Sequence, residues 1–395
     1  MSKRIGSLCL LAILVAGIVV TGDAFAENTG GKKPVLIGGS LPLTGKFAEM
    51  GRMQERGYRL WATEINRKGG LLGRPAKLLI TDDESSVKKV VEAYTDLMQR
   101  QRVDFIFSPY SSELTLAAAD LAEKSRYPFL VAGAASEKIW ETHRRYVIGL
   151  YSTTDRYFIG FLELCAIHKK KAVSITGFPD SFSLYTAKGA KKWAEKFGLK
   201  VVRYAIIEGK EEKDLAAEAD GIASAKPDVV IVAGHLKESI LLRRALDRTG
   251  AKHSVFAGSV GPAMQEFQKA LGPLAESAFG ASQWEPDERI PYPGSRMFIQ
   301  SFLKTYGEYP SYHAAAAYAA MKTLEGAVQK TGSLNREKIR QHLVTGEHKT
   351  ILGPFKIRKD GTQIGHKSLI IQWQRGKKEI VWPENMRTAF PVFPK

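Results

Sequence analysis

From residue 35 onward, short apolar runs rich in β-branched and aromatic residues alternate with longer segments whose apolar positions recur every three to four residues. The short runs predict strands at Val35–Gly39, Lys77–Thr81, Asp104–Phe107, Phe129–Ala132, Tyr146–Leu150, Ala172–Thr176, Lys200–Ile206, Asp228–Val232, Ser254–Ala257 and Phe279–Ser282. The longer segments predict helices at Gly51–Asn66, Val87–Arg100, Leu114–Lys124, Thr154–Lys169, Ser183–Phe197, Asp214–Ser224, Leu236–Thr249 and Pro262–Leu271. Strict alternation of strand and helix implies parallel sheets covered by helices on both faces. Ten strands with their helices exceed one comfortable domain, so two such sheets are expected.

After Gly294 the pattern changes. Helical periodicity dominates to Thr345, and the alanine-rich stretch Tyr312–Lys330 requires a close neighbour because its side chains are small. Beyond it Gly353–Ile357 reads as extended, and Lys367–Gln374 with Glu379–Trp382 reads as a hairpin turned around Arg375-Gly376-Lys377. The chain has no linker rich in Gly, Ser and Pro, no low-complexity tract and no short repeat.

The first residues bear on compartment. Lys3 and Arg4 precede the apolar run Ile5–Val20, and Ala24-Phe25-Ala26 places small residues where a signal peptidase cuts, so a secretory signal peptide is expected over Met1–Ala26. The alternative is a membrane anchor, but the run falls short of the roughly 20 residues that span a bilayer. Cys9 follows Leu8, where lipidation wants a small residue. Export leaves Cys165 without a cysteine partner; it sits on an apolar helix face and reads as a buried, inert thiol.

Composition is that of an ordinary globular protein, 44% hydrophobic and 25% charged, but the formal charge is +17. Such an excess could suit nucleic acid or an anionic membrane. The basic runs Lys169-Lys170-Lys171, Lys191-Lys192 and Lys377-Lys378 fall at helix ends or turns with no aromatic residues interleaved, so no nucleic-acid partner is expected.

The stretch from Val35 to Gly73 carries the most specific signature. A strand ending at Gly38-Gly39-Ser40 leads into Leu43-Thr44-Gly45, then a helix, then Ile65-Asn66 with Gly69, Gly70 and Gly73. This order, strand, L-T-G, helix and I-N-x-x-G-G-x-x-G, resembles the opening of the periplasmic branched-chain amino-acid-binding proteins of the Leu/Ile/Val type. The tail from Val381-Trp382-Pro383-Glu384 to Pro394 looks like that family's ending, and the resemblance covers essentially all of the chain after Ala26. It implies an α/β fold of two doubly wound parallel-sheet lobes joined by a three-segment hinge, the type I periplasmic binding fold. Lobe 1 would comprise residues 34–150 and 281–348, and lobe 2 residues 151–280 and 349–395. It also implies a monomeric periplasmic solute-binding component of an ABC importer, without cofactor or catalysis. Such a protein captures an amino acid or another small aromatic or aliphatic carboxylate by domain closure and is recognised by ABC permease subunits. A sensory protein feeding a membrane receptor or two-component system is the alternative.

In an open parallel sheet, ligands bind outside the carboxyl ends of the strands, where loops converge and helices present unpaired N–H groups. Two strand ends here carry hydroxyls in that place: Ser108-Pro109-Tyr110-Ser111-Ser112, and Ala132-Gly133-Ala134-Ala135-Ser136. A serine at a helix start offers its hydroxyl and its N–H to a carboxylate. The bland alternative is that Ser112 and Ser136 cap their own helices. The resemblance assigns Ser112, Ala134 (through its carbonyl) and Ser136 to the ligand's headgroup. It places Phe182 and His235 where the family has tyrosines and Met50 on the lobe 1 wall. Trp284 falls at the return crossing, where an aromatic covers the ligand or simply packs between domains.

One departure bears on the ligand. The family's acidic partner for the ammonium falls here on Val260, so an α-amino acid would need Asp180, Glu266 or another acid in its place. An unpaired buried ammonium costs several kcal/mol, whereas a carboxylate without an amine avoids that cost.

Enzymatic motifs are absent from the sequence. It contains no G-x-G-x-x-G, P-loop or H-E-x-x-H, and Ala257-Gly258-Ser259-Val260-Gly261 lacks the first glycine of a nucleophile elbow. His342 and His348 form an unsupported pair expected to face solvent, and Asp82-Asp83-Glu84 is expected to cap the next helix through Ser85-Ser86. An exported enzyme on a doubly wound fold is thus the weaker rival.

Overall fold

The computed structural model describes residues 32–346 and 348–393; the expected signal peptide, with Cys9, lies outside the described residues. The first sheet contains β1 (Val35–Leu41), β2 (Ala76–Asp82), β3 (Phe105–Phe107), β4 (Phe129–Val131) and β5 (Val147–Gly149), all parallel, in the order β2-β1-β3-β4-β5. The second contains β6 (Ala172–Gly177), β7 (Lys200–Ile206), β8 (Val229–Ala233), β9 (Val255–Gly258) and β10 (Phe279–Ser282), and its order β7-β6-β8-β9-β10 repeats that of the first. A small ribbon pairs β11 (His348–Thr350) with β12 (Gly353–Phe355). The hairpin of β13 (Leu369–Gln374) and β14 (Lys377–Trp382) then extends the second sheet antiparallel to β10.

Helices flank both sheets: α1 (Ala48–Arg67), α2 (Val87–Thr95), α3 (Ser112–Lys124), α4 (Ile159–Ile167), α5 (Ser181–Lys196), α6 (Glu212–Ala225), α7 (Leu236–Asp247) and α8 (Gln265–Leu271). Strands covered on both faces cannot alternate, and β8, Val-Val-Ile-Val-Ala, is buried at every position. Beyond β10 the chain returns to the first sheet with α9 (Ser295–Tyr306) and α10 (Tyr312–Thr331), both packed on α1, continues through α11 (Arg336–Thr345) and goes back to the second sheet at β13. With the passage from β5 to α4, the chain crosses between the two sheets three times.

The signature motif has a structural cause. Asn66 closes α1 and holds the first residue of β2 on both sides, its Nδ2 donating to Ala76 O at 2.9 Å and its Oδ1 accepting from Ala76 N at 2.8 Å. Gly69 and Gly70 turn the chain with φ of +91° and +79°, the region where glycine escapes the Cβ clash. Thr44 donates to Asp82 Oδ2 at 2.8 Å, which ties the L-T-G loop to the end of β2. Asp82 is spent on the Leu43-Thr44 loop, and Asp83 accepts the Ser40 hydroxyl and the Ser85 N–H, which holds the turn before α2 without capping the helix itself; Ser86 stands at that N-cap without a side-chain bond. The alanine-rich helix finds its close neighbour in α1: a Cβ at Gly57 would lie 2.2 Å from Ala314 O.

Other boundaries shift for local reasons. The single helix expected over Thr154–Lys169 is a 3₁₀ turn at Thr154–Arg156 followed by α4, because Glu137 accepts both the Thr154 hydroxyl and the Asp155 N–H and so fixes the crossing. Pro262–Leu271 likewise divides into a turn at Gly261–Ala263 and α8, separated by extended Met264. The helix at Val87 continues through Arg100 as a π-helical turn. Cys165 is free and buried, as its apolar setting suggested.

Candidate functional site

The order β2-β1-β3-β4-β5 places a topological switch point between β1 and β3, and the second sheet has its own between β6 and β8. The loops leaving these strands meet each other. From the first sheet come Tyr110, Ser111, Ser112, Gly133, Ala134, Ala135, Tyr151 and Tyr312; from the second come Tyr157, Phe182, His235 and Val260. These residues line one cavity with about 10 Å³ of free room, about what a single water needs.

Ser112 Oγ accepts the backbone N–H of Ala135 and of Ser136, each at 3.2 Å, so one hydroxyl joins the two serine-bearing loops. Ser108 Oγ does the same one layer deeper, accepting from Ala132 N at 2.8 Å. Ser136 Oγ donates across the cleft to Ser181 O at 3.1 Å, at the start of α5. A second tie across the cleft joins Tyr110 OH and His235 Nδ1 at 3.3 Å. Phe47, from the loop before α1, packs its ring 5.4 Å from Tyr110 and 5.0 Å from His235.

Behind His235 lies a compact charge cluster. Asp180 caps α5 through Ser183 N at 3.0 Å, accepts from Lys210 Nζ at 3.0 Å and sits 3.6 Å from His235 Nε2. Burial by itself would raise the Asp180 pKa, but the His235 and Ser183 hydrogen bonds and the Lys210 charge outweigh it, holding the carboxyl below its usual range. Lys210 also lies 3.6 Å from Glu238. The two carboxylates are thus committed to the second sheet's own cations, and the cavity wall itself bears no carboxylate.

Of the seven positions singled out in the sequence, Ser112, Ala134, Phe182 and His235 line the cavity. Ser136 stands at its edge, its hydroxyl turned to Ser181. Met50 is buried on α1 and is not among the lining residues. Trp284 is buried at the return crossing, its Nε1 3.2 Å from Ser295 Oγ and its ring against Phe298, which is the packing alternative rather than a cover on the cavity. Val260, the position opposite which the family's acid was aligned, does line the cavity, whereas Glu266 pairs with Lys269 at 3.6 Å on α8.

Sequence reasoning missed Tyr110, Tyr151, Tyr157 and Tyr312. Burial pushes all four phenols well up, so they stand neutral. Tyr110 lay inside the loop already chosen for its serines, and each of the other three lies in a loop or crossing segment or at a helix start. A wider depression of about 640 Å³, lined by Asp104, Arg126, Arg145 and Arg336, opens beside the first residues of β3 and β5, the end of the sheet where loops do not converge on a ligand. Among the described residues no His, Cys, Asp and Glu group could hold a metal, and no helix is long and apolar enough to cross a membrane.

Residues 34–378 match the family model described as periplasmic binding protein. The Leu/Ile/Val-binding protein homolog 7 of Brucella suis biovar 1 is 24% identical over 405 residues, covering 97% of each chain. The Leu/Ile/Val-binding protein BraC3 of Rhizobium johnstonii is 25% identical over 372 residues, covering 93% of this chain and 97% of the relative. In fold, the chain is similar to the leucine-binding protein LivK of Thermotoga maritima, with a TM-score of 0.79 at 20% identity over 88% of this chain and 97% of that one. It is also similar to an ABC transporter solute-binding protein of R. palustris solved with benzoate, with a TM-score of 0.75 at 20% identity over 88% and 95% of the two chains.

Proposed function

This chain belongs to the periplasmic binding protein family, and from that premise we propose that it is the solute-binding component of an ABC importer, exported to the periplasm, that captures a small carboxylate lacking an amine. One observation carries the reading: the switch-point loops of both sheets converge on a cavity walled by hydroxyls, backbone amides and aromatic rings, with Val260 where an ammonium partner would stand and no carboxylate in the wall. Relatives named for leucine, isoleucine and valine binding and neighbours solved with leucine or benzoate span both ligand chemistries. The wall of this chain favours the amine-free kind.

The two lobes, one built on the first sheet with α9 to α11 and one on the second sheet with the β13–β14 hairpin, close on the ligand; the expected boundaries at 281 and 349 move later along the chain, because Ser282 still pairs with β13 and Gln363 still binds Leu150 O beyond β5. The Ser112 hydroxyl proton and the N–H groups at the start of α3 would grip the carboxylate, with hydrogen bonds that strengthen on a charged acceptor, while the Ala135 and Ser136 N–H groups hold the Ser112 oxygen in place. Ala134, Phe182, His235 and the tyrosines would enclose its apolar body, and Met50 and Trp284 would act only as support behind them. The form described is already tied across the cleft at Ser136–Ser181 and Tyr110–His235 with room for about one water, so the ligand would enter an opened form and take the place of these ties; its contacts with both lobes then draw the population to a closed, liganded form that permease subunits recognise. No bond is made or broken.

A thermal-shift screen tests this. Amine-free aliphatic and aromatic carboxylates should raise the melting temperature by mass action, and a ligand recovered after incubation should be unchanged. A protein stabilised only by amine-bearing compounds would overturn the assignment.

A further inference from the structure

Gln54 and His313 are completely buried, and neither the amide oxygen and nitrogen of the first nor the two ring nitrogens of the second has a hydrogen-bond partner among the described residues. Leaving a buried polar group unpaired costs its full desolvation, and the large majority in folded proteins find partners. Neither is a lining residue, but each stands directly behind one that is. Gln54 Nε2 lies 2.8 Å from the place a Cβ would occupy on Gly133, so the missing side chain at this lining residue leaves the amide close behind the wall. The His313 ring is stacked 3.9 Å from Tyr312 and meets Tyr110 edge-on at 5.1 Å, and both tyrosines line the cavity.

The two residues belong to one seam. α1 and α10 pack together where Gly57 approaches the Ala314 carbonyl; Gln54 lies one turn before Gly57, and His313 directly precedes Ala314. Ser311, which precedes α10, also carries a buried hydroxyl without a partner. We propose that Gln54 and His313 form a second, uncharged polar subsite just behind the Gly133 and Tyr110 part of the lobe 1 wall, which binds a neutral hydrogen-bonding group of the ligand, a hydroxyl or carboxamide remote from its carboxylate, once Tyr110 and Tyr312 move aside.

The donor set fits that chemistry. An amide offers two donors and an acceptor, and a neutral imidazole offers one of each, which together satisfy a hydroxyl without introducing charge. Burial pushes the His313 pKa down to about 3, so the ring is neutral at neutral pH. After burial, the groups that act on the His313 ring are His235 and Lys378, and Lys378 is itself paired with buried Glu285 at 2.7 Å.

The inference rests on the carboxylate reading, and the test separates the two. Matched pairs, benzoate with 4-hydroxybenzoate, phenylacetate with 4-hydroxyphenylacetate and hexanoate with 6-hydroxyhexanoate, are titrated calorimetrically into the exported protein, Gln54→Leu and His313→Phe. At least one hydroxylated member should bind the unsubstituted protein about 10-fold or more tighter than its parent, since a site built for a hydroxyl rejects the analogue lacking it. Both variants should lose that preference while holding the parent compound within about twofold. A preference that survives in both variants, or parents that bind with no hydroxylated partner improved, overturns the subsite. Benzamide and phenylacetamide binding as well as the acids would instead strike the carboxylate reading and leave the subsite result standing. Melting without ligand decides the matter even if none of these probes binds: relieving an unpaired buried group should raise the melting temperature of each variant by about 2–4 °C. A fall in both would mean that the groups are satisfied within the fold, and the proposal would fail.

Discussion

Ser112 opens α3 just after β3, and its hydroxyl oxygen accepts the N–H groups of Ala135 and Ser136 from the loop after β4. The two serine-bearing loops are thus held as one unit, the unit we propose grips the ligand's carboxylate. Ser112→Ala should therefore weaken carboxylate binding by about 1–3 kcal/mol, read by calorimetry. Ser136→Ala should cost less headgroup contact and more closure, since its hydroxyl reaches Ser181. Unchanged affinity in the double variant would count against the grip. Glu137 gives a pH signature of its own. Burial, ahead of the opposing Thr154 and Asp155 hydrogen bonds, raises its pKa from 4.5 to about 7. The folded state keeps this proton where the unfolded state releases it, so stability falls as pH rises from about 4.5 to 7. Burial pushes His366 down to about 4, which acts in the opposite sense over an overlapping range, so the comparison must be made against a variant. Relative to Glu137→Gln, the natural protein should lose of the order of 2 kcal/mol across that window in denaturant titrations. A pH-independent difference would show that Glu137 is ionised throughout.

Among the elements, the seam of α1 and α10 carries the clearest consequence. The alanine run from Ala314 to Ala317 is wholly buried, and Gly57 gives it room for a backbone-to-backbone approach. Gly57→Ala should destabilise the protein by roughly 1–3 kcal/mol by overpacking, measured as a lower denaturation midpoint at unchanged slope. An unaltered midpoint would mean that the helices can slide apart without cost. The run of small side chains told of a close neighbour but could not tell which one. The amphipathic period of α5 and the unbroken apolar run of β8 were readable because burial on one face or on both writes itself into the sequence. The crossing at Thr154 and the turn at Gly261 were not, because Glu137 fixes the first from a distant loop and Met264 stands extended between the turn and α8.

For the whole molecule, the three crossings are joined through Gln283. Its Oε1 accepts from Ser152 N at 3.2 Å and lies 3.0 Å from His366 Nε2, while its Nε2 donates to Ser368 Oγ at 3.3 Å, so each crossing contributes a partner. Ser152 Oγ adds a bond to His366 O at 2.9 Å. Gln283→Ala should loosen this node and shift the unliganded protein toward open forms, seen as a larger radius of gyration in solution scattering and weaker ligand binding with unchanged lining residues. A scattering curve identical to that of the natural protein would remove Gln283 from the closure equilibrium. The sequence by itself determined the strand and helix alternation, the two sheets, the strand ends where a ligand would sit and the absence of an acid at Val260, because periodicity, turn chemistry and motif spacing are local. Only the tertiary structure decided which tyrosines reach the cavity, that Trp284 packs inside the return crossing, that Asp180 is bound to Lys210, and that Gln54 and His313 stand unpaired behind Gly133 and Tyr110. Those outcomes depend on contacts between residues tens to hundreds of positions apart, and no local pattern encodes the distance between two sheets that meet only at their loops.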